Sequence, residues 1–63
     1  MIIDDYIGLV VVVELDTGAT HEGVLEESQV YGYVKIINGS EMFQLPRKEI
    51  VDIKPIAGVR FKL

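Results

Sequence analysis

Turn-forming residues punctuate this chain from end to end and leave only short segments between them. Glycine, proline or asparagine marks the breaks at positions 16–18, 28–32, 38–39, 46 and 54–55. The segments between the breaks are rich in β-branched side chains: 19 of the 63 residues are Val, Ile or Thr, and only two are Ala. Such side chains lose rotamer freedom in helices and pack well on pleated sheets. The sequence therefore predicts an all-β domain built from short strands.

The breaks delimit five predicted strands, at residues 9–15, 19–27, 33–37, 42–45 and 49–53, after a short helical turn at residues 2–7. Gly23 lies inside the second strand, where glycine typically marks a bulge or a sharp bend. Asn38 and Gly39 predict a type I′ hairpin turn, since both residue types tolerate positive φ. Apolar and basic residues alternate over residues 59–63, which predicts a further short edge strand protected by charge. Together these features predict a small, partly open barrel.

Alternating apolar positions identify the barrel interior, because successive side chains of a strand point to opposite faces. The first strand is apolar on its other face as well, at Val10 and Val12, and we expect Leu9, Val10 and Val12 to need cover from the N-terminal segment or from a neighbouring subunit. The residues predicted to form most of the interior are Val11, Val13, Leu15, Leu25, Val34, Ile36, Leu45, Ile50 and Ile53.

The small size of the chain limits how it can be stabilised. Its 63 residues make a single domain, and a chain of this length buries only about 60% of its unfolded surface. The sequence has no cysteine for a disulfide, and one histidine makes a structural zinc site implausible. Oligomerisation is the remaining common source of stability in so small a domain. We therefore expect no metal and no cofactor, and we expect the chain to associate with itself.

Charge is distributed unevenly along the chain, whose formal net charge is −4. Residues 1–34 hold seven acidic residues and no Lys or Arg, whereas residues 35–63 hold six basic and three acidic residues. This split predicts either separate acidic and basic surfaces or, if the strands interleave the two halves, a mixed surface. The longest apolar run, residues 9–13, is too short to span a bilayer. Asp4 and Asp5 stand where a secretory signal carries basic residues, so we expect a cytoplasmic protein without a membrane partner.

Enzymatic chemistry has little support in this sequence. The available nucleophiles are Ser28, Ser40 and two threonines. The only histidine that could activate one of them as a general base is His21, which we expect to point to solvent. Glu26 and Glu27 are neighbours on a strand, so they face opposite sides and cannot act as a carboxylate pair. No glycine-rich phosphate-binding loop occurs, because the six glycines are spread over turns and bends. The sequence predicts a protein that is not an enzyme and has no small-molecule substrate.

Two features are typical of nucleic-acid contacts. Tyr31 lies in a predicted loop, where an aromatic side chain either stacks on a base or packs under its own loop. Arg47 and Lys48 follow Pro46 in a tight turn, so they form either a cationic loop tip that binds phosphate or ordinary solvated charge. The residues alone leave both alternatives open.

The spacing of these elements resembles the Sm-like family, which includes the LSm proteins and bacterial Hfq. Residues 6–36 resemble its first signature, with Gly8, the pattern Val11-x-Val13-x-Leu15, and then Gly18, Gly23 and Leu25. Residues 43–55 (FQLPRKEIVDIKP) resemble its second signature, a short strand, a basic turn and an Ile-rich last strand. The resemblance implies a strongly bent five-stranded antiparallel barrel with a short N-terminal helix. It also implies a homo-oligomeric ring in which the fourth strand pairs with the fifth strand of the next subunit.

The resemblance further implies a site for single-stranded RNA, bound by the ring as a scaffold or chaperone. The family's loop after the second strand usually reads Asp, any residue, an aromatic or His, any residue, Asn. Here Tyr31 matches the stacking position, while Gln29 and Tyr33 replace the Asp and the Asn. Arg47 and Lys48 replace the usual Arg-Gly pair and are similar to the Lys-His pair of Hfq. These five residues are the expected RNA site; the alternative, favoured by the net charge, is an assembly module that binds no nucleic acid.

Overall fold

Five antiparallel strands form one sheet. The computed structural model describes residues 1–56, so the strand expected at residues 59–63 lies outside the described residues. Short 3-10 helices occupy Ile3–Tyr6, the N-terminal turn, and Arg47–Glu49, the basic turn. The strands are β1 (Val10–Leu15), β2 (Thr20–Glu27), β3 (Tyr33–Asn38), β4 (Glu41–Pro46) and β5 (Ile50–Pro55). Their order in the sheet is β4-β3-β2-β1-β5. The predicted β architecture is confirmed, and within residues 1–56 the sheet does not close on itself.

The hydrophobic core consists of the nine residues that the sequence predicted to form most of the interior. All nine are at most 9% exposed, and the side chains of Val11, Val13, Leu25, Val34 and Ile36 have no solvent-accessible surface. The complete core is Val11, Val13, Leu15, Leu25, Val34, Ile36, Leu45, Ile50 and Ile53. The predicted interior is therefore confirmed residue by residue.

A β-bulge in β5 explains how two isoleucines three positions apart both reach the core. Glu14 lies opposite Asp52, but the next residue, Leu15, lies opposite Ile50, so Val51 is the extra residue of the bulge. Strict alternation would place Ile50 and Ile53 on opposite faces of the strand. The bulge turns both side chains inward and leaves Val51 more than half exposed at the end of the sheet.

Strand β2 changes its pairing partner part-way along its length. Residues 20–24 pair with β1, whereas residues 24–27 pair with β3. At the change Gly23 has φ of +153°, and a Cβ built there would overlap the Ile37 carbonyl, lying 2.9 Å from its carbon. Only glycine permits so close an approach of two backbones without a shift of one of them. Gly23, which was predicted to mark a bulge or a sharp bend, therefore lies where the pairing of β2 passes from β1 to β3.

The hairpin between β3 and β4 forms one residue later than predicted. Asn38 pairs with Glu41, so the two central residues of the turn are Gly39 and Ser40. Gly39 has φ of +62°, whereas no non-glycine residue in the described part of the chain has positive φ. The predicted type I′ turn is therefore wrong, because it requires positive φ at both central residues, and the pattern fits type II′. Asn38 stays in β3, and its Nδ2 donates to the Glu22 carbonyl over 3.1 Å.

The N-terminal turn packs against the hydrophobic core. Its residues Ile3 and Tyr6, and the following Ile7, pack against the core cluster. Beyond it, the Gly8 amide donates to the Leu25 carbonyl over 2.7 Å and the Leu25 amide donates to the Leu9 carbonyl over 3.0 Å. Leu9 itself stays 44% exposed. The N-terminal segment is thus part of the folded body.

The two charge-biased halves of the chain interleave in the fold. Glu26 of β2 lies opposite Lys35 of β3, and Asp4 forms an ion pair with Arg47. Like charges also meet, since Glu14 of β1 lies opposite Asp52 of β5. Across residues 1–56, no helix has the length and apolar character needed to cross a membrane.

Candidate functional site

Two depressions adjoin at the loop between β2 and β3. One of about 390 Å³ has walls that include Asp4, Glu27 and Ser28, and we call it the Asp4 depression. The other, of about 330 Å³, has walls that include Pro46 and Lys48, and we call it the Lys48 depression. Both share the walls formed by Tyr31, Gly32, Tyr33 and Arg47. Their volumes lie at the lower end of the range for ligand clefts, about 300–1,000 Å³.

Tyr31 projects from the loop that separates these depressions. Its side chain is fully exposed, which is the opposite of an aromatic packed under its own loop. The loop is held below it, because the Val30 amide donates to Ser28 Oγ over 3.0 Å and the Tyr33 amide donates to the Val30 carbonyl over 3.1 Å. Ser28 Oγ in turn donates to Gln44 Oε1 of β4 over 2.6 Å. A fixed loop therefore presents a free aromatic face to solvent.

Arg47 connects the basic turn to the start of β3 on one side and to the N-terminal turn on the other. Its backbone amide donates to the Gly32 carbonyl over 2.8 Å, and its Nε donates to the Tyr33 carbonyl over 3.4 Å. Its Nη2 donates to Asp4 Oδ1 over 2.9 Å, which makes an ion pair across 43 positions of sequence. The Arg47 side chain is only one-third exposed. The expected display of two free cations is therefore wrong for Arg47, which is held by its partners.

Lys48 and Gln29 differ in how they relate to the depressions. Lys48 is exposed, lines the Lys48 depression and, within residues 1–56, takes part in no ion pair. Gln29 is exposed in the same loop as Tyr31 but lines neither depression. Tyr33 is half-buried at the start of β3, opposite Pro46. Four of the five predicted residues therefore meet at one place, and Gln29 stands beside it.

Sequence reasoning missed the two carboxylates of the site. In the sequence, Asp4 suits the start of a helical turn or a solubilising role, and Glu27 lies at the end of a predicted strand. Both line the Asp4 depression together with Arg47. No local pattern links Asp4 to Arg47, because the pair is created by the packing of the N-terminal turn beside the basic turn.

His21 differs from its expected orientation to solvent. It is half-buried, and its ring lies 4.9 Å from the Phe43 ring, tilted by 46°. Aromatic pairs at this separation stabilise a fold beyond the area they bury. The observed contact of His21 is therefore a packing contact.

No protein-family model matches the chain, and no curated protein or solved structure matches it at a significant level.

Proposed function

We propose that this chain is an Sm-like protein that forms a homo-oligomeric ring and binds single-stranded RNA as a scaffold or chaperone. The observation that carries the proposal is the fully exposed ring of Tyr31, on a hydrogen-bonded loop beside the depressions that Arg47 and Lys48 line. An aromatic platform next to cations is the common device for holding single-stranded nucleic acid, because a base stacks while phosphates pair with the charges. The net charge of −4 does not prevent this, since fixed charges are screened over about 8 Å at physiological salt.

The two edge strands of the sheet, β4 and β5, support the proposal of a ring. Within residues 1–56, β4 pairs only with β3 and β5 only with β1, so each has one edge free to pair with another chain. Phe43 shares a strand face with the core residue Leu45, yet it is 40% exposed. Met42 of β4 and Val51 of β5 are more than half exposed. Apolar side chains on unpaired edges are what a strand-to-strand subunit contact would cover.

Tyr31 is expected to contribute binding energy through stacking. Tyr31→Ala should weaken binding of oligo-uridine and oligo-adenine about 5- to 150-fold, the equivalent of about 1–3 kcal/mol for one stacked base. Fluorescence anisotropy with short labelled RNAs measures this directly. Tyr31→Phe is the matched control, since it keeps the ring and removes only the hydroxyl. An equal drop in affinity in both variants would contradict stacking as the cause.

Lys48 is expected to act on phosphate. Lys48→Ala should weaken binding of all RNA sequences alike and reduce the slope of log affinity against log salt by about 0.7 for each phosphate that the lysine neutralises. Titrations at several salt concentrations give this slope. Lys54→Ala is the control for loss of a lysine elsewhere, because Lys54 is exposed on β5, lies 3.8 Å from the Asp52 carboxylate and lines neither depression. An equal change of slope in the Lys54 variant would contradict the assignment of Lys48 to a phosphate contact.

A second candidate function is protein assembly without nucleic-acid binding. The observation that favours it is the Asp4–Arg47 pair, which occupies one of the two cations at the site. On this hypothesis no short RNA binds at low salt, or binding is unchanged by both Tyr31→Ala and Lys48→Ala. The same titrations therefore decide between the two functions.

A further inference from the structure

The two depressions carry opposite charge although they share a wall. The Asp4 depression is lined by the carboxylates of Asp4 and Glu27 and by one guanidinium, that of Arg47. Among residues 1–56, the Lys48 depression is lined by the cations of Arg47 and Lys48 and by no carboxylate. A phosphate is therefore repelled from the first space and attracted to the second.

Asp4 strengthens this difference by its contact with Arg47. The 2.9 Å hydrogen bond from Arg47 Nη2 to Asp4 Oδ1 satisfies part of the guanidinium on the side of the Asp4 depression. A phosphate entering there would compete with a carboxylate that is already in place. The guanidinium cannot rotate freely to the other side, because its Nε donates to the Tyr33 carbonyl.

The Asp4 depression suits a ligand that donates hydrogen bonds. Carboxylate oxygens only accept hydrogen bonds, and in nucleic-acid recognition Asp and Glu accept from the amino group of cytosine. The amino groups of adenine and guanine are donors of the same kind. Uracil presents a single N–H between two carbonyl oxygens, and those oxygens would face the carboxylates of Asp4 and Glu27.

We propose that the two depressions divide the recognition of one nucleotide, with Asp4 and Glu27 selecting a base that carries an amino group and Lys48 taking the phosphate. Tyr31 stands between the two spaces, where its ring can stack on the base. The inference rests on the proposed RNA binding and adds a preference for cytosine, adenine or guanine over uracil. Asp4 then has two effects: it accepts from the base, and it withholds Arg47 from phosphate.

Oligo-cytidine and oligo-uridine of equal length are the sharpest pair of probes. Both are pyrimidines, and their bases differ in the amino or carbonyl group at C4 and in protonation at N3. At neutral pH the wild-type protein should bind oligo-cytidine about fivefold more tightly, the value expected for one net hydrogen bond. Glu27→Gln should bring this ratio towards one, because the amide can also donate to a uracil carbonyl.

Asp4→Asn gives a second and different readout. Removing the Asp4 charge makes Arg47 Nη2 available to phosphate, while Nε keeps its bond to the Tyr33 carbonyl, so affinity for both RNAs should rise while the cytidine preference falls. Glu14→Gln is the control for the change in net charge, since Glu14 is exposed on β1 and lines neither depression. It should leave the ratio unchanged.

The possible results distinguish failure of the base preference from failure of RNA binding itself. Equal or tighter binding of oligo-uridine by the wild-type protein overturns the base preference and leaves RNA binding intact. A ratio unchanged in both Glu27→Gln and Asp4→Asn overturns the assignment to these carboxylates. Failure of both RNAs to bind at low salt overturns the proposed function itself. Circular dichroism of each variant establishes that the fold is retained.

Discussion

Replacing Leu25 with alanine is expected to lower the free energy of unfolding by about 2–5 kcal/mol. Leu25 has no exposed surface and is among the largest fully buried side chains. Its amide and carbonyl also bond Leu9 and Gly8, and these bonds oppose a backbone shift that would fill the cavity. Domains of this size have a total stability of only about 0.05–0.15 kcal/mol per residue, so the loss would be a large fraction of it. Urea denaturation followed by circular dichroism measures the effect.

Two further substitutions make this prediction specific to the buried position. Leu25→Met keeps the volume and should cost less than about 1.5 kcal/mol, so it stays measurable if the alanine variant does not fold. Val30→Ala removes apolar atoms from a loop residue that is 50% exposed, and it should change stability by less than about 0.5 kcal/mol. A decrease in the free energy of unfolding below about 0.5 kcal/mol for Leu25→Ala would contradict the burial of Leu25 in the core.

The core could be predicted from the sequence because burial follows apolar character and strand alternation together. In β1, Val11, Val13 and Leu15 share one face, and that face is the buried one. In β5 alternation alone fails, since Ile50 and Ile53 are three positions apart. Their apolar character gave the correct prediction, and the bulge at Val51 is the structural device that makes it possible.

The hairpin turn shows where local preference yields to tertiary contacts. Asn38 and Gly39 are favourable for a type I′ turn, and the hairpin is indeed there. The ladder between β3 and β4 instead pairs Asn38 with Glu41, and the Asn38 side chain reaches across to Glu22. Register therefore follows the strand pairing, which the turn residues only partly specify.

The candidate site was predictable in its aromatic and basic residues but not in its carboxylates. Tyr31 and Lys48 are exposed for local reasons, since each lies in a turn that has no core position. Arg47 was expected to be free for the same reason, yet Asp4 holds it. That contact depends on how the N-terminal turn packs beside the basic turn, and no local spacing in the sequence encodes such packing.

The largest expected effect on assembly is at the two ends of the sheet. On the ring proposal, Val51→Lys or Met42→Lys should convert the oligomer into a species near the chain mass of 7.1 kDa. Each substitution places a charge where the β4 edge of one copy would meet the β5 edge of the next, and burying an unpaired charge is very costly. Neither residue belongs to the core, so each subunit can keep its fold. Sedimentation velocity at micromolar concentration gives the mass.

Val30→Lys is the matched control, because Val30 has nearly the same exposure as Met42 and Val51 but lies in the loop between β2 and β3. It should leave the ring intact, since the loop is not a sheet edge. The ring would also stabilise each subunit through mass action, so the edge variants should melt at lower temperature while Val30→Lys does not. A wild-type protein that sediments as a 7.1 kDa monomer would contradict the ring outright. Equal masses for the wild-type, Val51→Lys and Met42→Lys proteins would show that these strands do not form the subunit interface, and the exposed apolar residues of β4 and β5 would then need another partner.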